Sequence, residues 1–238
     1  MSGRMVIAAS PSQAMAESNV QLPERHGPLK LGVMVSGRGT NLQAILDAIE
    51  AGDLDAEVAL VVCNHADAQA VARAKSANVP VRTYDLDDYP SRLAKQRAIA
   101  HDLARAGAEL IVCAGWDRVL KPEFVKQFEG RIINVHPSLL PAFGGGLHAV
   151  EDALRYGVKV AGCTVHFVTE KVDEGPIISQ AAVPVLPDDT LETLAERIHL
   201  EEHRLLVEAI KLYAEGRLAV NGRKVNIKSE MTGAPRTI

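Results

Sequence analysis

The sequence predicts an α/β fold on a mainly parallel sheet, and three features carry that prediction. Short β-branched runs alternate with helical patterns from Lys30 onward, a hairpin pattern replaces them after residue 157, and a long amphipathic helix closes the series. At about 150 residues per domain, the 238 residues allow one or two domains. No repeat or low-complexity linker divides the chain, so a single domain over residues 30–218 is expected, preceded by a flexible extension (1–29) and followed by a tail (219–238).

Composition narrows the function classes. Apolar residues make up 47% and charged residues 24% of the chain, globular values that exclude disorder throughout. Twenty-six Lys+Arg against 30 Asp+Glu leave a net charge of −4, so no bulk positive field exists to hold nucleic acid or an anionic membrane. Apolar runs such as Val58–Cys63 fall far short of the roughly 20 residues that span a bilayer. Met5–Ala9 is too short for the apolar core of a secretory signal. Cys63, Cys113 and Cys163 form no CxxC pair and sit inside strand-like runs, which points to buried reduced thiols and a cytoplasmic protein.

The elements follow in order. Residues 31–36 (LGVMVS), 57–63 (EVALVVC), 80–84 (PVRTY), 109–114 (ELIVCA) and 131–136 (RIINVH) read as strands. Between the first two, Leu42, Ile45, Leu46 and Ile49 recur at helical spacing, with Thr40 or Asn41 placed as the cap. Residues 160–168 and 177–185 flank the short loop Thr169–Pro176 as a hairpin. Leu191, Leu194, Ala195, Ile198, Leu205, Ala209 and Tyr213 then form one helical stripe, capped by Asp189 or Thr190. Beyond Leu218 the chain is polar and reads as loosely ordered.

Chemistry concentrates in a few places. Ser36-Gly37-Arg38-Gly39-Thr40-Asn41-Leu42 links a strand to a helix, where free N–H groups and the helix dipole favour an anion such as phosphate; a plain tight turn would use the same glycines. Leu42 occupies the third glycine position of the dinucleotide fingerprint, and no ribose-binding acid follows Cys63-Asn64, so NAD is disfavoured; no GxxxxGK[ST] supports a P-loop.

Strand alternation puts Asn134 and His136 on one face, about 7 Å apart, with Pro137 ending the strand. An amide and an imidazole at a strand's carboxyl end could stabilise an oxyanion and manage a proton, or form a hydrogen-bonded core pair. His166 could serve as a ligand or base, but inside an alternating strand it reads first as a satisfied, partly buried histidine. His148 could cap a helix or touch a ligand, and Asp173 is a turn residue unless it faces His136. Glu202 falls on the apolar stripe of the long helix, where it either snorkels to solvent or faces a pocket.

Five stretches taken together resemble the phosphoribosylglycinamide formyltransferase family, the folate-dependent enzymes of purine synthesis: SGRGTNLQAILDAI (36–49), AGWDRVLKPEFV (114–125), RIINVHPSLLPAF (131–143), GCTVHFVTEKVDEGPIISQAAVPV (162–185) and ERIHLEEHRLLVEAI (196–210). The resemblance implies a Rossmann-like domain with a seven-stranded sheet and helices on both faces. It implies catalytic roles for Asn134, His136 and Asp173, a phosphate loop at Gly39, Thr40 and Asn41, and a ribose-binding Glu202. It places the formyl-folate against Arg92 and Asp117, Arg118, Val119 and Leu120, with main-chain groups of Thr169, Glu170, Lys171, Val172 and Asp173 around the pteridine. The implied small-molecule partners are glycinamide ribonucleotide and the co-substrate 10-formyltetrahydrofolate, with no metal, nucleic acid or membrane, in a monomer or homodimer. Asp117 stands where the family commonly has methionine, Trp116 where it has phenylalanine, and Gly144-Gly145-Gly146 where it has a shorter Pro-Gly loop.

Rival readings remain. A formyltetrahydrofolate deformylase shares the Asn-His-Asp set but usually carries an N-terminal regulatory domain, for which 29 residues leave no room. A methionyl-tRNA formyltransferase would need a C-terminal RNA-binding domain and a basic face. A non-catalytic phosphosugar-binding module would have no use for an intact Asn134/His136/Asp173 set.

Overall fold

A computed structural model describes residues 27–229. Nine strands and six helices follow one another as β1 (Leu29–Val35), α1 (Thr40–Glu50), β2 (Ala56–Cys63), α2 (Gln69–Ser76), β3 (Val81–Thr83), α3 (Arg92–Arg105), β4 (Leu110–Cys113), α4 (Pro122–Gln127), β5 (Ile132–His136), α5 (Ala149–Tyr156), β6 (Val160–Phe167), β7 (Ile177–Pro184), α6 (Leu191–Ala214), β8 (Leu218–Asn221) and β9 (Lys224–Ile227). They form one sheet in the order β3-β2-β1-β4-β5-β6-β7-β9-β8. The first five strands pair in parallel; β5, β6 and β7 pair antiparallel. The expected hairpin is therefore β6–β7.

Alternation along the strands builds two cores. Val33, Val35, Val61, Ile133 and Val135 face α1 and α6, meeting Leu42, Ile45, Leu194, Ile198 and Leu205. Met34, Val62, Ile111 and Ile132 face the other way, against Ile99 and Leu103 of α3 and Phe124 of α4. Each such side chain contributes about 1.5–3 kcal/mol when fully buried, so the central strands are clamped from both sides. All three cysteines are buried and free, as expected.

The expected strand count, the loose tail and the cap of α1 are corrected. The sheet has nine strands, not seven, because residues read as a loose tail pair as β8–β9 and extend the sheet beyond β7. Gly222, at φ 58°, opens the two-residue turn between them, a Gly-X hairpin signal that polar flanks obscured. The cap of α1 is neither Thr40 nor Asn41 but Gly39, with no side-chain cap bond. Gly39 is left-handed at φ 71°, and a Cβ there would lie 2.8 Å from the Ala70 Cα, so the loop turns too tightly against α2 for another residue. On α6 the cap is Thr190, whose side chain exchanges bonds with Thr193. The chain outside 27–229, which holds most of the expected N-terminal extension, lies outside the described residues.

Candidate active site

The connection from β1 runs to β2 on one side, whereas the chain later returns to place β4 on the other side of β1. Open α/β sheets bind ligands at such a switch point, outside the strands' carboxyl ends. The glycine loop leaves β1 there, and the segment after β4 leaves beside it. A cleft of about 450 Å³ lies along this edge, and Asn134, His136, His166 and Asp173 line it.

β5 presents the first pair as alternation requires. Asn134 Nδ2 lies 3.1 Å from His166 Nε2 on the neighbouring antiparallel strand. His166 Nδ1 is 2.9 Å from the Phe167 carbonyl and must donate to it, so Nε2 is the acceptor and the amide nitrogen of Asn134 faces it. Burial pushes the His166 pKa down, in keeping with this neutral tautomer. Asn134 thus keeps one N–H free of the strand.

His136 is buried, and its Nε2 donates to the Phe143 carbonyl at 3.0 Å. Its Nδ1 lies 3.6 Å from Asp173 Oδ2, and Asp173 Oδ1 lies 3.7 Å from His166 Nε2. Asp173 is no ordinary turn residue. It sits in the left-handed region at φ 55°, its side chain is only 13% exposed, and its Oδ2 accepts the Gly145 amide at 2.7 Å. The carboxylate is therefore wedged between two imidazoles, with a backbone donor fixing its orientation.

Glu202 does not snorkel. It is 4% exposed and accepts a 3.0 Å hydrogen bond from Asn41 Nδ2, while Asn41 Oδ1 is buried without a partner. Burial pushes the Glu202 pKa up to about 7, against the opposing Asn41 hydrogen bond and the Arg38 charge. Gly39, Thr40 and Asn41 form the uncapped start of α1, where first-turn N–H groups remain available. Neither these residues nor Glu202 line the large cleft.

Of the residues expected around the folate, Asp117, Arg118, Val119, Leu120, Thr169, Glu170 and Val172 line the cleft; Arg92 and Lys171 do not. Arg92 opens α3, and Lys171 reaches Glu174 at 3.6 Å. His148 does not cap α5 by its side chain; it lies exposed beside Glu151 in a neighbouring hollow that also contains Arg38. The reading of single residues missed the Phe143 carbonyl and the Gly145 amide, because backbone donors and acceptors leave no trace in residue type. It also set the ligand or base role of His166 second to a core one, and did not pair that histidine with Asn134, its register partner on β5. Among the described residues no group of three or more His, Cys, Asp or Glu could hold a metal ion, and no helix is long and apolar enough to cross a membrane.

Comparison with known proteins adds the following. The formyl transferase family matches residues 29–210. A phosphoribosylglycinamide formyltransferase of Mycobacterium tuberculosis is 47% identical over 206 residues, which cover 84% of this chain and 94% of that protein. The trifunctional purine biosynthetic protein adenosine-3 of Gallus gallus is 43% identical over 203 residues; the match takes in 85% of this chain but only 20% of that longer protein. A crystal structure of glycinamide ribonucleotide transformylase 1 from Symbiobacterium toebii superposes with a TM-score of 0.84 at 50% identity, covering 89% of this chain and all of that one. A formyltetrahydrofolate deformylase from Pseudomonas syringae reaches a TM-score of 0.79 at 26% identity, over 85% of this chain and 66% of that one.

Proposed function

The chain belongs to the phosphoribosylglycinamide formyltransferase family of formyl transferases, and from that premise we propose how its residues transfer a formyl group from 10-formyltetrahydrofolate to the amine of glycinamide ribonucleotide. The observation that carries the reading is Asp173, held by the Gly145 amide between His136 and His166 in the cleft beside the glycine loop. A neutral amine attacks the formyl carbon, a C–N bond forms, and negative charge develops on the formyl oxygen. Asn134, oriented by His166, offers its free N–H to that oxygen, and protonated His136 offers a second, charged donor at Nδ1, the nitrogen not engaged by the Phe143 carbonyl. Each donor of this kind is worth about 10²–10³ in rate.

As the bond to the folate's nitrogen 10 breaks, that nitrogen gains a proton and the former amine loses one. Asp173 holds His136, balances the charge of its imidazolium and helps the proton across. The start of α1 binds the ribonucleotide phosphate. The Asn41–Glu202 pair receives the ribose hydroxyls, which can satisfy both the carboxyl and the orphaned Asn41 oxygen. The cleft between residues 115–120 and 168–173 is apolar enough at Val119, Leu120, Val168 and Val172 to take the flat ring of the folate.

The test is to incubate the protein with 10-formyltetrahydrofolate, with and without glycinamide ribonucleotide. Tetrahydrofolate release should depend on the ribonucleotide. Equal release without it would make the protein a hydrolase of the deformylase type.

A further inference from the structure

A second polar cluster lies on the cleft wall formed by the loop after β4. Asp117 Oδ1 accepts from the Ser36 hydroxyl at 2.9 Å and from Asn64 Nδ2 at 2.8 Å. The Asp117 amide donates to the same Ser36 oxygen at 3.1 Å, and Asn64 Nδ2 reaches that oxygen at 3.2 Å. Oδ2 faces His65 Nε2 at 3.3 Å and the Arg118 guanidinium at 3.7 Å. Ser36 directly follows β1, Asn64 directly follows β2, and Asp117 lies just past β4. Three strands adjacent in the sheet are thus tied together at their carboxyl ends.

The chemistry of the tie is one-directional. A carboxylate only accepts, so both neighbours must present hydrogens. Asn64 turns its amide nitrogen to the cluster, and its Oδ1 is left buried without a partner. Burial opposes ionisation of Asp117, yet hydrogen bonds from Ser36, His65 and Asn64 outweigh it and hold the carboxyl below its ordinary range. The far half of the loop has a separate anchor: buried Gln96 of α3 donates to the Val119 carbonyl at 2.9 Å and accepts from the Lys121 amide at 2.7 Å. Between these anchors, residues 115–120 form one wall of the cleft.

We propose that Asp117 is a positioning residue: it ties the cleft wall to Ser36, the first residue of the glycine loop, and so holds the main chain of residues 115–120 in the shape that receives the formyl donor. The inference rests on the formyl-transfer reading above. Asp117 acts through the loop and not as a ligand, because Oδ1 is already engaged by two donors from other strands. The reacting groups on β5 and after β6 are anchored independently, so losing the tie weakens donor binding more than it slows the chemical step.

The test uses steady-state kinetics on the full chain, calorimetric titration with tetrahydrofolate, and thermal unfolding. Asp117→Leu, similar in size but without acceptors, should raise the KM for 10-formyltetrahydrofolate about 10- to 100-fold, the scale of a small misplacement of a binding wall, and weaken tetrahydrofolate binding in parallel. Its kcat should stay within about threefold, well below the loss expected from a missing oxyanion donor. Asp117→Asn keeps an oxygen for Ser36 and Asn64 and should restore most of the affinity. Ser36→Ala should give a smaller KM increase that adds little to that of Asp117→Leu.

An unchanged donor KM in Asp117→Leu overturns the proposal, as does an Asn variant as impaired as the Leu one, or losses that multiply with Ser36→Ala. If Asp117→Leu does not fold, Ser36→Ala decides alone: an unaltered donor KM there refutes the tie. Failure of the formyl-transfer reading would instead appear in the unsubstituted protein, as tetrahydrofolate release that ignores the ribonucleotide.

Discussion

Two carboxylates, half-buried Asp173 and buried Glu202, are held in opposite ways, and on the proposed function the contrast separates catalysis from recognition. Asp173 receives a backbone amide at 2.7 Å and faces two imidazoles at 3.6 and 3.7 Å, on a loop that touches the cleft. Glu202 sits mid-helix, is 4% exposed, and receives a single amide hydrogen bond. The first has its partners in the protein alone, one backbone donor and two neighbouring imidazoles. The second is left short of them, and burial moves it to about 7. On the proposed function, the carboxylate with built-in partners serves the reaction and the one short of partners awaits a ligand that brings them.

The strongest way to break the comparison is at Asp173. Asp173→Asn keeps the shape but removes the charge beside His136, and kcat should fall by about 10²–10⁴, the range of acid–base contributions, with a small effect on ribonucleotide affinity. Combined with His136→Ala, it should be little worse than the poorer single variant, because groups acting as one unit are not additive. Multiplicative losses in that cycle would show that the two residues act separately.

The Gly145 donor gives a milder perturbation of the same carboxylate. Gly145 is left-handed at φ 80°, and nothing lies within 4 Å of where a Cβ would be, so alanine meets backbone strain without a clash. That strain, on the order of 1–2 kcal/mol, should shift the loop and lower kcat about tenfold while the unfolding midpoint falls by only about 2–8 °C. An unaltered kcat would mean that Asp173 needs no help from the loop.

How much of this was legible in the sequence depended on the range of the signal. Strands β1, β2, β4 and β5 could be read because alternating or continuous apolar runs report burial locally. Asn134 and His136 could be placed on one face by a period of two. Glu202 stood out as a charge on an apolar stripe, although its partner Asn41, 161 positions away, did not. The β8–β9 hairpin was missed because its exposed strands carry little apolar pattern. The Asp117 cluster joins residues 81 and 53 positions apart through hydrogen bonds that no local pattern encodes. The resemblance supplied the roles of Asp173 and Glu202, whereas their different chemical settings became visible only in three dimensions.

Glu202 tests the other half of the comparison. Glu202→Ala should weaken ribonucleotide binding by about 1–3 kcal/mol, the scale for a hydrogen bond to a charged group, with donor affinity and the chemical step little changed. Calorimetry showing unaltered ribonucleotide affinity would leave the Asn41–Glu202 pair a purely structural contact.

The smallest effect is on stability, and its sign follows from Glu202 itself. Its pKa rises from an ordinary 4.5 to about 7 in the folded chain, so the folded protein takes up a proton more readily than the unfolded one. Between those values the folded state binds more protons, and the Glu202 contribution to stability falls as pH rises, then levels off above about 7. One titrating group can change stability by at most about 1.4 kcal/mol per pH unit. Glu202→Gln carries no such proton, so unfolding followed from pH 5 to pH 8 should show a smaller decline in the variant than in the unsubstituted protein. Asn41→Ala removes the one donor that favours the carboxylate and should carry the decline to higher pH. Parallel curves for all three proteins would mean that Glu202 titrates where an exposed glutamate does, and that the two carboxylates are not held differently at all.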